Sequence, residues 1–211
     1  MQLRITEIFY SLQGESRTAG FPTIFIRLTG CPLRCQYCDT SYAFKGGSKM
    51  TIENVMEQAA AYKTSFVTVT GGEPLAQAGC HNLLTKLCDQ GFQVSLETSG
   101  ALDISGVDQR VCIVMDLKTP DSSESGKNLY SNIEFLKKDD QVKFVIGSRD
   151  DYLWSRDCLA QYNLSRFEVL FSPVHGKLPA TDLADWILAD QLKVRLQVQL
   201  HKILWGDERG R

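Results

Sequence analysis

The 211-residue sequence lacks any apolar run approaching a membrane span, and its start, Met-Gln-Leu-Arg-Ile-Thr-Glu, has no apolar core of the signal-peptide kind. A cytoplasmic protein with no membrane contact is therefore expected. Neither sign of charge dominates: 23 Lys and Arg against 25 Asp and Glu leave a net charge of −2. That balance gives no electrostatic case for nucleic acid as a partner. Histidine is scarce, with three residues. There is no His-x3-His pair and no second Cys-x2-Cys, which leaves little to complete a structural zinc site. Internal repeats, low-complexity segments and an obvious domain boundary are absent as well. One domain over 1–211 is expected, with an arm at 1–22, a core at about 23–192 and a last strand and tail at 193–211.

What the chain does have is seven cysteines, which without a secretion signal read as thiols or metal ligands rather than disulfides. Cys80, Cys88, Cys112 and Cys158 are dispersed, and packing is the simple explanation where they fall in apolar or helical patterns. Cys31, Cys35 and Cys38 form a tight Cys-x3-Cys-x2-Cys group directly after an apolar strand-like run. Three thiolates on one loop can hold a [4Fe-4S] cluster and leave its fourth iron open, whereas a structural site uses four ligands. This spacing, with Tyr37 before the last cysteine, resembles the radical S-adenosylmethionine (SAM) enzymes. There the open iron chelates the amino and carboxylate groups of SAM. Gly71-Gly72-Glu73-Pro74, another signature of that superfamily, follows the next strand-like run about forty residues on. Its glycines would let a ligand approach main-chain groups, and the Glu73 carboxylate is a candidate acceptor for the SAM ammonium group.

Patterning gives the frame. Strands are expected at Ile5–Tyr10, Thr23–Leu28, Phe66–Thr70, Gln93–Gly100, Val111–Lys118, Val142–Ile146, Glu168–Phe171 and Val194–Leu200. Helices are expected at Thr51–Lys63, Cys80–Gln90, near Asn132–Lys138, at Asp151–Tyr162 and at Thr181–Ala189. This alternation implies right-handed β-α-β units. The fold class is α/β: a partial parallel barrel with an abbreviated core of about six strands. Its strand-to-helix loops, among them Ser172-Pro173-Val174, converge on the C-terminal edge of the sheet, where α/β folds place active sites. Arg27, in an otherwise apolar strand, needs a carboxylate or the open end of the sheet.

The resemblance extends beyond the superfamily. Ser11-Leu12-Gln13-Gly14-Glu15, Cys38-Asp39-Thr40, Glu97-Thr98-Ser99-Gly100 and Gln199-Leu200-His201-Lys202 are similar to the 7-carboxy-7-deazaguanine synthase family of queuosine and deazapurine biosynthesis. That resemblance implies a lyase converting 6-carboxy-5,6,7,8-tetrahydropterin to 7-carboxy-7-deazaguanine with loss of ammonia. Hydrogen abstraction by a 5′-deoxyadenosyl radical and ring contraction would do this. It implies a homodimer with a [4Fe-4S] cluster, SAM and Mg2+, reduced by a donor such as flavodoxin or ferredoxin. Residue by residue, it implies Cys31, Cys35 and Cys38 as cluster ligands and Thr40 as a Mg2+ contact. Leu12, Gln13, Gly14, Glu15, Arg27, Thr70, His201 and Lys202 are implied on the substrate side. Tyr37, Cys38, Asp39, Gly72, Glu73, Thr98, Ser99, Asp116, Leu117 and Lys118 are implied on the SAM side. Ser16 stands where many members have glycine, Asp116-Leu117-Lys118 is not the Ser-Pro-Lys of some relatives, and the C-terminal residue by which some members complete the substrate pocket is not carried over to the tail Gly206–Arg211. A radical-SAM activase making a glycyl radical on a partner enzyme is the alternative within the superfamily. A zinc or redox module, completed by His81, His175 or His201, is the alternative outside it.

Overall fold

The computed structural model describes residues 1–211. Strand β1 (Gln2–Leu12) turns back antiparallel on β2 (Pro22–Leu28), and the short β3 (Ser48–Thr51) pairs with the other edge of β1. From β2 onward the strands are parallel: β4 (Phe66–Gly71), β5 (Gln93–Thr98), β6 (Cys112–Asp116), β7 (Gln141–Ile146), β8 (Glu168–Pro173) and β9 (Arg195–Leu196). The sheet order is β3-β1-β2-β4-β5-β6-β7-β8-β9, an open sheet and so a partial barrel. Helices α1 (Ile52–Ala60), α2 (Cys80–Asp89), α3 (Arg149–Gln161) and α4 (Ala180–Ala189) follow β3, β4, β7 and β8, and α5 (Leu200–Trp205) follows β9. Thr51 caps α1 through its side chain, which accepts from the Asn54 amide, and Gly91 ends the α2 segment at φ +84°.

Each strand alternates between two environments, because successive side chains leave opposite faces. Ile24, Ile26, Val67, Val69, Val94, Leu96, Ile113, Met115, Val142 and Phe144 join the helices in one apolar core. Their neighbours Arg27, Thr68, Thr70, Glu97, Asp116 and Lys143 face the other way, so the concave side of the sheet is polar and charged.

The expected partial barrel with a core of about six strands stands: β2 and β4 to β8 are its longer parallel members, and β1 and β3, each paired antiparallel to its neighbour, and the short β9 bring the sheet to nine. Three expectations are corrected. The first strand runs the full length Gln2–Leu12. The Asn132–Lys138 helix is instead a 3-10 segment, Tyr130–Phe135, in which buried Asn132 hydrogen-bonds Gly100, Leu102 and Ile104 of a neighbouring loop. Asparagine that binds backbone elsewhere does not favour a regular helix. The last strand shrinks to Arg195–Leu196, because Gln197 turns inward and the Leu200 amide donates to Gly14 as α5 begins. His201 and Lys202 therefore sit on a first helical turn, not at a strand end.

The loop of the β1–β2 hairpin crosses the concave side at the N-terminal mouth of the half-barrel. Gln13 donates to Thr68 on β4, Glu15 pairs with Lys143 on β7, Ser16 exchanges hydrogen bonds with Gln197 beyond β9, and Arg17 reaches Glu168 on β8. Side chains thus bridge a gap that the hydrogen-bond ladder leaves open.

Candidate active site

The cysteine loop leaves β2 at Leu28 and is fastened by backbone. Gly30 donates to Ala43 and accepts from the Glu73 amide, both at 2.8 Å, and the Gln36 amide donates to Ser122 at 3.2 Å. Tyr37 anchors the far end, its hydroxyl lying 3.1 Å from Thr119 Oγ1 and 3.3 Å from the Val145 carbonyl oxygen. The reason for Gly71-Gly72 differs from the expected ligand approach. A Cβ on Gly72 would lie 2.3 Å from the Gly30 oxygen and 2.8 Å from Cys31 Cβ, and one on Gly71 would lie 2.3 Å from the Leu28 oxygen. The glycines let this loop pack against the cysteine loop itself.

All three cysteines are free, half-buried and line one cavity of about 250 Å³. Burial pushes their thiols up, Cys35 to about 11, and the nearby Lys118 ammonium pulls each back. No three His, Cys, Asp or Glu side chains converge where a single metal ion could sit. A cubane meets each thiolate at a different iron, so three separated thiols facing one cavity fit a [4Fe-4S] cluster better than a zinc ion.

Glu73 is not a free acceptor. It is fully buried, and its carboxylate takes hydrogen bonds from the Thr98 hydroxyl, the Ser99 amide and hydroxyl, and the Leu75 amide. It positions Thr98 and Ser99, which do line the cavity. Leu117 belongs to the apolar core, so its side chain faces away. Asp116 and Lys118 form an ion pair at 2.9 Å, and Asp116 Oδ1 is buried without a partner. Burial opposes the charge on Lys118, but Asp116 and the Cys35 side win and its pKa is raised.

The hairpin loop and the inward-facing strand residues form the floor. Arg27 Nε donates to Glu7 Oε1 at 2.7 Å, meeting its expected need for a carboxylate, and the Tyr42 hydroxyl donates to the same oxygen at 2.7 Å. The Gln13 amide holds Thr68 and accepts from the Glu15 amide. Thr70 Oγ1 donates to Glu97 Oε2 at 2.8 Å. Burial, helped by the Glu15 charge, pushes the Glu97 carboxyl up. Lys143 is raised despite its burial, held by Glu15 and Asp116, while Glu15 Oε1 has no partner. Thr40 caps nothing; its hydroxyl donates to Asp39 Oδ1 at 2.7 Å. Burial works against the Asp39 charge, yet hydrogen bonds from Thr40 and Gln199 leave its pKa lowered.

Of the residues expected at the site, all but Tyr37, Glu73 and Leu117 line the one cavity. Gly14 does so as a seat for His201, because a Cβ there would lie 2.3 Å from His201 Nδ1. Burial lowers the His201 pKa. Sequence reasoning missed Glu97 and Lys143, whose signal was a charge at the same strand parity as Arg27 and Thr70. It also missed the tail Gly206–Arg211, which lines the cavity. A second cavity shares Cys35, Cys38, Asp116 and Lys118 and is lined also by Tyr37 and by Ser172–His175, the loop expected at the C-terminal edge of the sheet.

The superfamily model for radical SAM proteins matches residues 25–121. The chain is 44% identical to the 7-carboxy-7-deazaguanine synthase of Chlorobaculum tepidum, over 99% of this chain and 97% of that protein. The chain belongs to the 7-carboxy-7-deazaguanine synthase family. A synthase from Koribacter versatilis is 40% identical over 98% of both chains. The crystal structure of QueE from Escherichia coli shares the fold, with a TM-score of 0.77, 24% identity and coverage of 93% of this chain and 94% of that one. As a radical SAM lyase of this family, the chain uses a [4Fe-4S] cluster and SAM. No helix is long and apolar enough to cross a membrane.

Proposed function

We propose that this chain, acting as one radical SAM domain, converts 6-carboxy-5,6,7,8-tetrahydropterin to 7-carboxy-7-deazaguanine with loss of ammonia. The observation that carries the reading is the cavity in which the cysteine loop faces the hairpin floor, lined by Gln13, Arg27 and Thr70 on one side and by Cys31, Cys35 and Cys38 on the other.

When bound, the cluster and SAM supply a 5′-deoxyadenosyl radical able to take hydrogen from an unactivated carbon. Cys31, Cys35 and Cys38 hold the cluster. Thr98, Ser99 and the Gly72 backbone would meet the methionine end of SAM, and the unpartnered Asp116 Oδ1 would be free to accept a hydrogen bond from its ribose. Leu12 to Glu15, Arg27 and Thr70 meet the pterin, with His201 and Lys202 closing one side. Glu15 Oε1 is a ready acceptor for the pterin's amino edge, and Glu97, whose carboxyl accepts from Thr70 and is pushed up by burial, stands on the same floor. Thr40 and the Asp39 carboxylate offer the oxygen ligands Mg2+ prefers. A homodimer in the cytoplasm, reduced by flavodoxin or ferredoxin, completes the reading.

Anaerobically reconstituted protein, given SAM, Mg2+ and a reductant, is expected to turn over the carboxytetrahydropterin to a product with the mass of the carboxydeazaguanine. SAM cleavage without that product sinks the substrate assignment and leaves the radical chemistry standing.

A further inference from the structure

The cations of this chain are unevenly matched. Arg4, Arg34, Lys45, Lys49 and Lys127 are exposed, and none takes part in any of the molecule's ion pairs. They gather around the outside of the cysteine loop. The Arg34 side chain donates to the Cys31 and Leu33 carbonyl oxygens at 2.8 and 2.6 Å, and its guanidinium lies 4.4 Å from the centroid of the Phe44 ring. Lys45 follows Phe44 in the chain. Arg4 donates to the Gly46 and Gly47 carbonyl oxygens, stands opposite Lys49 in the β1–β3 register, and accepts through its own carbonyl from the Thr29 amide. On the other flank the Glu124 carboxylate accepts from the Arg34 amide, and the Glu124 carbonyl accepts from the Lys127 amide. Leu33 and Phe44 also line the cavity, so this basic face backs directly onto the cysteine wall. Five unmatched cations on one face of a chain of net charge −2 favour a partner of opposite sign. The cluster must receive its electron from outside, and electron transfer weakens steeply with distance. A carrier therefore has to seat against the thin layer of chain that covers the cysteines.

We propose that these five residues form the docking face for a small acidic electron-carrier protein. This rests on the cluster reading given above. The carrier passes one electron to the oxidised cluster and is itself oxidised by one electron; no bond forms or breaks. A flavin carrier goes from its anionic hydroquinone to its neutral semiquinone, so no proton moves. The face sets the encounter and its orientation, not the chemistry inside the cavity.

The test uses reconstituted holoenzyme in three forms: wild type, Lys45→Glu/Lys49→Glu, and Lys63→Glu/Lys138→Glu. The last makes the same change of net charge at exposed lysines that precede β4 and β7, at the opposite edge of the sheet. Flavodoxin is the probe. Its Kd, from calorimetric titration at low salt, is expected to rise about tenfold or more in Lys45→Glu/Lys49→Glu and to stay near wild type in the control. The difference should shrink as salt is added. Stopped-flow bleaching of the cluster by flavodoxin hydroquinone should slow in step, whereas bleaching by the uncharged 5-deazariboflavin radical should not. An unchanged Kd, an equal loss in the control variant, or a loss that extends to deazariboflavin overturns the proposal. So does an RNA duplex that binds wild type more tightly than flavodoxin and loses that affinity in Lys45→Glu/Lys49→Glu, which gives the face to nucleic acid. If deazariboflavin fails to bleach the wild-type protein, the cluster reading falls instead.

Discussion

The two walls of the cavity are built on opposite plans. The cysteine wall is assembled from short stretches of chain and fastened by backbone, with Gly72 packed against Gly30 and Cys31 and the Gly30 oxygen accepting from the Glu73 amide. The hairpin floor is fastened by charged and amide side chains between residues far apart in sequence, such as Glu15 with Lys143 and Ser16 with Gln197. A wall made of local backbone can lose a ligand and keep its shape. A floor made of buried charge cannot lose a partner without leaving the other exposed to a low-dielectric interior.

Substitutions on each side sharpen that contrast. Cys35→Ala has the largest functional effect expected: loss of the brown cluster, of iron and of SAM cleavage, with the thermal melt of the apoprotein little changed. Retained cleavage rules Cys35 out as a ligand. Lys143→Met should show the reverse, destabilising the fold by about 3 kcal/mol in denaturant titration, because it leaves Glu15 buried beside Glu97. A loss under about 1 kcal/mol means the floor is not held by that pair. The Glu97→Gln variant probes the floor by pH. The native carboxyl is raised above its ordinary 4.5, so the folded state binds the extra proton and wild-type stability falls as pH climbs from there through the raised value. The variant lacks this fall, so the stability difference should grow in its favour with rising pH; a difference independent of pH refutes the shift. Ser16→Gly should have the smallest effect. Ser16 holds φ +68°, and glycine relieves that strain at the cost of the Ser16–Thr18 hydroxyl contact and some unfolded-state entropy. A net gain of about 0.5 kcal/mol is expected in the same titration, and a loss of 1 kcal/mol contradicts it.

This division also decides what could be read in advance. The cysteine wall was legible because ligand chemistry sets a local spacing, and Cys31, Cys35 and Cys38 declare it within eight residues. The parallel core was legible because each strand and helix announces its own period. Glu97 and Lys143 were not, because a charge within a strand shows its purpose only when registry places it beside Thr70 or Asp116. Glu73 misled for a related reason: the motif announces a carboxylate, and only the fold shows that Thr98, Ser99 and Leu75 saturate it. The last strand failed because the Gln197 side chain and the Leu200 amide turn to the hairpin loop, leaving the Gln197 amide as the last to donate to β8. Ser16 marks the same junction, since a position that needs positive φ explains why relatives favour glycine there.

The Ser16–Gln197 exchange joins residues 181 apart, so its hydrogen bonds cannot form until both halves of the sheet are in place. The Gly30 end of the cysteine loop needs only β2 and β4 beside it, while its Tyr37 end waits for Thr119 and Val145. The order of assembly follows: the Gly30 end comes early, and the Ser16–Gln197 side of the floor closes last. In kinetic terms the hairpin acts as a latch, and contacts absent from the folding transition state govern how fast the native protein opens. Lys143→Met is accordingly expected to speed unfolding in stopped-flow measurements while leaving the refolding rate nearly untouched; a slowed refolding limb instead places the latch among the first contacts made.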